Sequence, residues 1–242
     1  MKIALFVPCL VDQFRPEIAV SAARVLTRAG CRIDYPAGQT CCGQPLYKAG
    51  HAGKARRTAE HWLKIFRDAE AVVAPSGSCV AMVRNVYPQF FANAPALQEA
   101  ADEAARRTFE FCEFLVDKLD AADVGAEFDS TAVYHDSCQV GRALGIRRQP
   151  LELLSNIRGL KLFQMSRPEA CCGFGGTFSV QYPEVSASMT EDKLADMEAS
   201  GAELAVTAEP SCLINLESMA ARQKSRMKFM HIAELLDCGV AS

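Results

Sequence analysis

The sequence predicts an α/β protein built as two pseudo-symmetric repeats, each a small parallel sheet flanked by helices, with cysteines at the C-terminal ends of the strands. Three observations carry that expectation. Short apolar runs alternate with helix-length amphipathic stretches, the order of a parallel sheet covered on both faces. That order is run through twice in 242 residues. One cysteine pattern also recurs, as Cys9, Cys41-Cys42-Gly43 and Cys79, then as Cys138, Cys171-Cys172-Gly173 and Cys212. Eight of the eleven cysteines fall into this scheme, with gaps of 32 and 37 residues in the first copy against 33 and 40 in the second.

Taken in order, Ile3–Val7 is a continuous apolar run, the pattern of a strand buried on both faces. Pro16 opens a helix that runs to Arg28, with Ile18, Ala22, Val25 and Leu26 on one face and Gly30 as its stop. Cys31–Tyr35 reads as a short strand leading into the first Cys-Cys-Gly loop. A helix over about Ala49–Ala69 carries Ala59, Trp62, Leu63 and Phe66 at core spacing. Ala71–Ala74 is a buried strand closed by Pro75-Ser76-Gly77-Ser78, and Cys79–Phe91 is helical. The second half gives strands at Thr131–His135, Lys161–Met165 and Leu204–Thr207. Its helices are expected at Pro150–Asn156, at Pro183–Ala199 and from near Cys212. Phe111–Leu115 matches Ile232–Leu236 as a shared amphipathic tail. The first half carries about a dozen extra residues, placed at Asn93–Arg107. Ala121–Ser130 is expected to be the linker between domains spanning 1–122 and 123–242.

Composition excludes several classes. Lys plus Arg number 26 and Asp plus Glu 29, for a net charge of −3, so no basic excess attracts nucleic acid or anionic lipid. No stretch approaches the ~20 apolar residues of a membrane span, and the N-terminal apolar run lacks the cleavage site of a signal peptide. The expectation is a cytoplasmic protein whose thiols stay reduced and serve as metal ligands or catalytic groups. Neighbours such as Cys41 and Cys42 stand about 3.8 Å apart at Cα, under the range of ordinary disulfides.

Four thiols per half, converging where a parallel sheet binds its ligands, satisfy tetrahedral zinc and a cubane iron–sulfur cluster alike. Close C-x2-4-C pairs, the usual mark of structural zinc, are absent from the scheme. Two adjacent ligands with two distant ones suit a polynuclear cluster, while zinc in one or both sites remains open. The candidate ligands are Cys9, Cys41, Cys42 and Cys79 for one centre, and Cys138, Cys171, Cys172 and Cys212 for the other. Gly43 and Gly173 let the backbone turn sharply beside them.

These residues resemble a known family. His135-Asp136-Ser137-Cys138-Gln139-Val140-Gly141-Arg142, Cys171-Cys172-Gly173-Phe174-Gly175-Gly176 and Pro210-Ser211-Cys212 are similar to the CCG cysteine-rich domains of iron–sulfur oxidoreductase subunits. That group includes the CCG-bearing subunit of heterodisulfide reductase, the iron–sulfur subunits of glycolate oxidase and anaerobic glycerol-3-phosphate dehydrogenase, and the lactate utilization protein A family. With no ferredoxin-type cysteine run before the pair of domains, the chain most resembles the last of these. The resemblance implies an oxidoreductase subunit that transfers electrons through one iron–sulfur cluster per repeat, of the [4Fe-4S] type, in cytoplasmic oxidation of L-lactate to pyruvate. It implies two partner proteins, one carrying ferredoxin-type clusters. The fuller family pattern ends in C-x-x-C, where this chain has Ser76 and Glu209. That departure leaves a zinc-bound or metal-free scaffold, or another CCG-type subunit, as the alternative.

The other candidates read as structural. Cys31, Cys112 and Cys238 are expected to be core or surface residues without a metal role. His135, three residues before Cys138, is either a ligand or proton donor, or a strand-end histidine satisfied by the backbone; the second is the expectation. His51, His61 and His231 have no partners in sequence and receive no role. The Gly173–Gly176 loop lacks a phosphate-binding pattern. Arg56-Arg57, Arg147-Arg148 and Glu191-Asp192 are expected on solvated helix faces.

Overall fold

Residues 1–240 are described by a computed structural model. The first repeat runs β1 (Lys2–Leu5), α1 (Cys9–Phe14), α2 (Pro16–Arg28), β2 (Arg32–Asp34), α3 (Gln44–Lys48), α4 (Ala52–Ile65), β3 (Val72–Ala74), α5 (Gly77–Ala81), α6 (Tyr87–Phe90), α7 (Pro95–Arg107), β4 (Thr108–Glu110) and α8 (Phe111–Glu113). The second runs β5 (Glu127–His135), α9 (Arg148–Ser155), β6 (Arg158–Phe163), α10 (Phe178–Gln181), α11 (Pro183–Ala199), β7 (Leu204–Thr207), α12 (Pro210–Gln223), β8 (Lys228–His231) and α13 (Ile232–Leu236). Wide π-helical turns span Met82–Val86, Phe114–Lys118 and Cys138–Ala143.

Each repeat forms one four-stranded sheet in the same order, β2-β1-β3-β4 and β6-β5-β7-β8. All pairings are parallel. The central strands β3 and β7 are buried at every position and apolar except at Thr207, as suits strands covered on both faces. One face of the first sheet packs Ala4, Phe6, Val72 and Ala74 against Trp62, Phe66 and Tyr87. The other face, with Ile3, Leu5 and Val73, joins Val25 and Leu26 of α2 in a core continuous with the second repeat.

A pseudo-twofold arrangement therefore joins the repeats. Helix α2 packs on α13, and α8 on α9. Arg15 of the first repeat pairs with Glu217 (2.7 Å) and Glu234 (3.2 Å), and Arg28 pairs with Asp237 (2.5 Å). Gly77 of α5 lies so close to Val140 that a Cβ there would overlap it, so glycine lets the two repeats touch beside the cysteines.

Several elements differ from the sequence reading. Helices α1 and α3 and strands β4 and β8 have no counterpart in it. All four are short, and β4 and β8 are hidden beside the tails they precede. Strand β5 starts at Glu127, so the expected linker is four residues shorter at its end; Glu127–Ser130 pair with Arg158–Leu160 on β6. Strand β6 sits a few residues earlier than expected, and the extra residues of the first half form α7. Arg147 and Arg148 are not merely solvated. Arg147 pairs with Asp136 and Glu169, and Arg148 reaches Asp117 of the other repeat at 2.5 Å.

The tail helices begin in matched capping boxes. The Glu110 carboxylate accepts from Cys112 N (2.7 Å) and Glu113 N (3.2 Å). Residue 231 takes the same place in the second repeat, where His231 Nδ1 accepts from Ala233 N at 3.2 Å and the Glu234 carboxylate accepts from His231 N at 2.9 Å. Burial pulls the His231 imidazole down to about 3 from an ordinary 6.5. Between those values the unfolded chain takes a proton that the folded one refuses, so the histidine's contribution is complete above pH 6.5 and is lost on acidification. At pH 5.5 this costs about 1.4 kcal/mol. In urea unfolding, wild type should lose about that much relative to His231→Asn, which keeps a capping side chain, between pH 7 and 5.5; burial also shifts Glu110 and His135, but alike in both proteins, so they drop out of the difference.

Candidate metal centres

In each sheet the strand order reverses between the two middle strands, β1 and β3 or β5 and β7, which opens a crevice at their C-terminal ends. Cys9 starts the helix after β1, and Cys79 lies on α5 after β3. Cys138 opens the π-helical turn after β5, and Cys212 lies on α12 after β7. The Cys-Cys-Gly loops return to the same rim after β2 and β6. The sulfurs of Cys9 and Cys41 stand 3.4 Å apart and those of Cys42 and Cys79 3.3 Å apart. Cys172 contacts Cys212 at 2.6 Å, and Cys138 lies beside Cys171. The outer pair of each set is half-buried and the inner pair buried; all are free thiols.

Both sets open on one cleft between the repeats, a cavity of about 310 Å³ lined by every one of these cysteines except Cys41. Its walls include Ser76, Ser78, Glu209, Phe174 and the exposed Val180.

The loops are held in place by specific bonds. Gly43 and Gly173 take left-handed backbones, φ +83° and +84°, and each donates its N–H to the preceding Cys41 or Cys171 sulfur at 3.4 Å. The Tyr87 hydroxyl donates to the Cys42 carbonyl at 2.9 Å. In the second repeat, Thr190 Oγ1 (3.0 Å) and Asn215 Nδ2 (2.8 Å) donate to the Cys172 carbonyl, and Ser186 Oγ donates to that of Gly173 at 2.9 Å. Lys193, buried on α11, donates to the carbonyls of Arg167 and Pro168 just before the loop. Sequence reasoning singles out none of these supports. The signal present is a polar i, i+4, i+7 row, Ser186–Thr190–Lys193, on one face of α11. That face is buried, while Glu191 and Asp192 on the other are exposed as expected.

Electrostatics define what the pockets can hold. In the first, hydrogen bonds from Cys42 and Cys9 hold the Cys41 thiol down at about 3. Donating to Cys41, reinforced by burial, pushes both Cys9 and Cys42 up. In the second, the bond to Cys171, then burial, pushes Cys138 up. For Cys172 the bond with Cys171 pulls down, but the bond with Cys212 and burial prevail and raise it. Cys212 is likewise raised by burial, against the bond with Cys172. Four adjacent thiols therefore cannot all ionise unless a cation joins them. A soft, thiolate-binding metal or cluster supplies that cation, and this donor set fits one.

Ser76 and Glu209, which stand where the fuller family pattern has cysteines, meet each other across the repeats. Ser76 Oγ lies 3.4 Å from the Glu209 carboxylate. That carboxylate caps two helices: it accepts from Ser78 N (2.8 Å) and Ser78 Oγ (3.0 Å) on α5, and from Ser211 N (3.3 Å) and Ser211 Oγ (2.9 Å) on α12. One buried side chain thus fixes the starts of the helices bearing Cys79 and Cys212.

The histidine expectation needs correction. His135 is 1% exposed, and neither ring nitrogen has a hydrogen-bond partner. The backbone at the strand end is committed to its neighbours and does not satisfy the ring. A ring nitrogen instead lies within 4.8 Å of the Cys172 and Cys212 sulfurs. His61 Nε2 bonds the Gly38 carbonyl at 2.9 Å. Cys31 and Cys112 are buried in packing and Cys238 is half-buried. Among the described residues no helix is long and apolar enough to cross a membrane.

Comparison with known proteins agrees with this architecture. The cysteine-rich domain family CCG matches residues 3–84 and again 132–217. Lactate utilization protein A of Bacillus subtilis (strain 168) is 40% identical over 98% of this chain and 99% of that protein. Its namesake from Exiguobacterium sp. (strain AT1b) is 43% identical over 99% of this chain and 98% of that protein. The namesake from Geobacillus kaustophilus (strain HTA426) is 41% identical, over 98% and 99%. A hypothetical protein from Helicobacter pylori, solved by crystallography, shares the fold with a TM-score of 0.65 at 11% identity. It covers all of this chain, which spans 49% of that one.

Two substitutions test the geometry. A Cβ at Gly173 would stand 2.5 Å from the Ser186 carbonyl and 2.6 Å from Thr190 Oγ1, whereas at Gly43 the nearest atoms are 3.3 Å away. Both sites carry the left-handed penalty of about 1–2 kcal/mol, so Gly173→Ala should destabilise clearly more than Gly43→Ala in thermal unfolding. Glu209→Ala strands N–H groups on both helices and should cost about 2–4 kcal/mol in the same measurement.

Proposed function

Because the chain belongs to the lactate utilization protein A family, with two CCG cysteine-rich domains, we propose that it is an iron–sulfur electron-transfer subunit of an L-lactate-oxidising complex. The domains are taken as residues 1–122 and 123–242, each carrying one centre, of the [4Fe-4S] type. Cys9, Cys41, Cys42 and Cys79 hold the first, and Cys138, Cys171, Cys172 and Cys212 the second. A bound cluster supplies one-electron storage at each site. The protein contributes thiolates, burial and the amide bonds from Gly43 and Gly173 that limit charge on the sulfurs.

The observation that carries the reading is the shared cleft. Structural zinc sites are closed, whereas here two thiol sets face the same cavity, an arrangement suited to passing electrons in and out. No paired acid and base in the cleft is placed to take a proton from lactate and its carbon-bound hydrogen, so substrate chemistry is assigned to partner proteins, one bearing ferredoxin-type clusters. The family names its members for lactate use, and the substrate assignment rests on that. The setting proposed is cytoplasmic.

A mononuclear zinc site is the second reading, favoured by sulfur separations of 3.3–3.4 Å in the first repeat. Those are near the ~3.8 Å edge of a tetrahedron with Zn–S bonds of ~2.3 Å. Anaerobic purification followed by iron, sulfide and zinc analysis separates the two. The expected result is iron with acid-labile sulfide and a visible absorption that bleaches on reduction; stoichiometric zinc without sulfide contradicts electron transfer. L-lactate should bleach the protein only when the partner proteins are added. Because neighbouring thiols and burial raise Cys9, Cys42, Cys138, Cys172 and Cys212, loading must release protons, and apparent metal affinity should fall as pH is lowered.

A further inference from the structure

We propose that His135 is a metal ligand at the second centre, so that the two centres differ in kind. This inference rests on the iron–sulfur reading above and concerns a residue outside the cysteine scheme.

Strand register shows which residue His135 replaces. Leu5 pairs with Val73 in the first sheet, and Tyr134 pairs with Val206 in the second. The next residues, Phe6 and His135, therefore occupy equivalent places, each three positions before the first cysteine of its set. Phe6 is an ordinary core residue there, packed edge-on against Trp62 (5.7 Å) and Phe66 (5.4 Å). The site in the second repeat is just as closed, yet it holds an imidazole that is 1% exposed.

An imidazole in that position is costly unless it has a partner. Both ring nitrogens lack one among the protein groups, and a buried polar group left unsatisfied forfeits its hydration with nothing in return. Phenylalanine would fill the place without that penalty, as the first repeat shows. The Cys172 and Cys212 sulfurs and a ring nitrogen of His135 form a set of three ligand atoms all within 4.8 Å of one another. A metal bound by those thiolates is within reach of the imidazole. The second centre then has five donors, four sulfurs and one neutral nitrogen, against four sulfurs in the first. A neutral nitrogen adds no negative charge, so it gives the second centre a reduction potential of its own.

The test uses full-length protein purified anaerobically, with its iron and sulfide content measured first. Pulsed electron paramagnetic resonance of the reduced protein, with and without 15N-histidine, should show a nitrogen coupled strongly enough to be bonded to the cluster. Cys212→Ala should abolish the signal that carries it, which assigns that signal to the second centre. His135→Phe, which installs the residue the first repeat uses, should lose the coupling and shift the second centre's midpoint potential while leaving the first unchanged. Iron-loaded wild-type protein without a strongly coupled histidine nitrogen overturns the inference, and so does coupling that survives in His135→Phe. The isotope comparison in wild type decides the matter even where the variant does not fold. An iron-free preparation overturns the iron–sulfur reading itself, and metal analysis tells that failure from the other.

Discussion

The structure is organised around one constraint: four thiols in contact, in a half-closed pocket, cannot all carry charge without a cation among them. Hydrogen bonds to Cys41, reinforced by burial, drive Cys9 and Cys42 up while a single thiolate, Cys41, is stabilised at their expense. A protein that builds this arrangement twice has two candidate metal sites in its core rim. The rest of the fold serves that placement. Parallel strands deliver Cys9 and Cys79, or Cys138 and Cys212, to either side of a crevice. The left-handed glycines turn the paired cysteines toward them, and hydroxyl and amide donors fix the carbonyls of Cys42 and Cys172.

Duplication has kept this frame and altered what surrounds it. The tail helices start in equivalent capping boxes with different first residues, Glu110 and His231. Ser76 and Glu209 hold equivalent places after β3 and β7, and together they form one contact across the pseudo-twofold. The glutamate is committed to N–H and hydroxyl groups on two helices, so it works as a clamp between the cysteine-bearing segments. Helix α7 has no counterpart in the second repeat. Phe6 and His135 are a further differing pair, and the histidine lies beside the second thiol set.

Much of this is legible in the sequence, for physical reasons that vary by element. The Pro16–Arg28 and Pro183–Ala199 helices and the Leu204–Thr207 strand can be read with their observed limits, because proline starts the helices and an unbroken apolar run marks a strand buried on both sides. Strands β4 and β8 escape notice because three or four residues such as Thr108-Phe109-Glu110 leave no period to detect, and because they run directly into helices. The cysteine scheme is legible because thiol chemistry constrains spacing more tightly than packing does. The supports are hidden. Tyr87 and Asn215 reach the loops from helices 45 and 43 residues away, and nothing local marks them. His135 misleads because a strand-end histidine ordinarily finds a backbone partner, and only the folded environment shows that this one has none.

If each repeat holds its own metal centre at the strand ends, with both centres facing one cleft, anomalous scattering at the iron edge from anaerobically grown crystals measures this directly. Two separate iron peaks are expected, one bounded by Cys9, Cys41, Cys42 and Cys79 and the other by Cys138, Cys171, Cys172 and Cys212. A map without iron at either place, or with the adjacent sulfurs joined as disulfides, would contradict it.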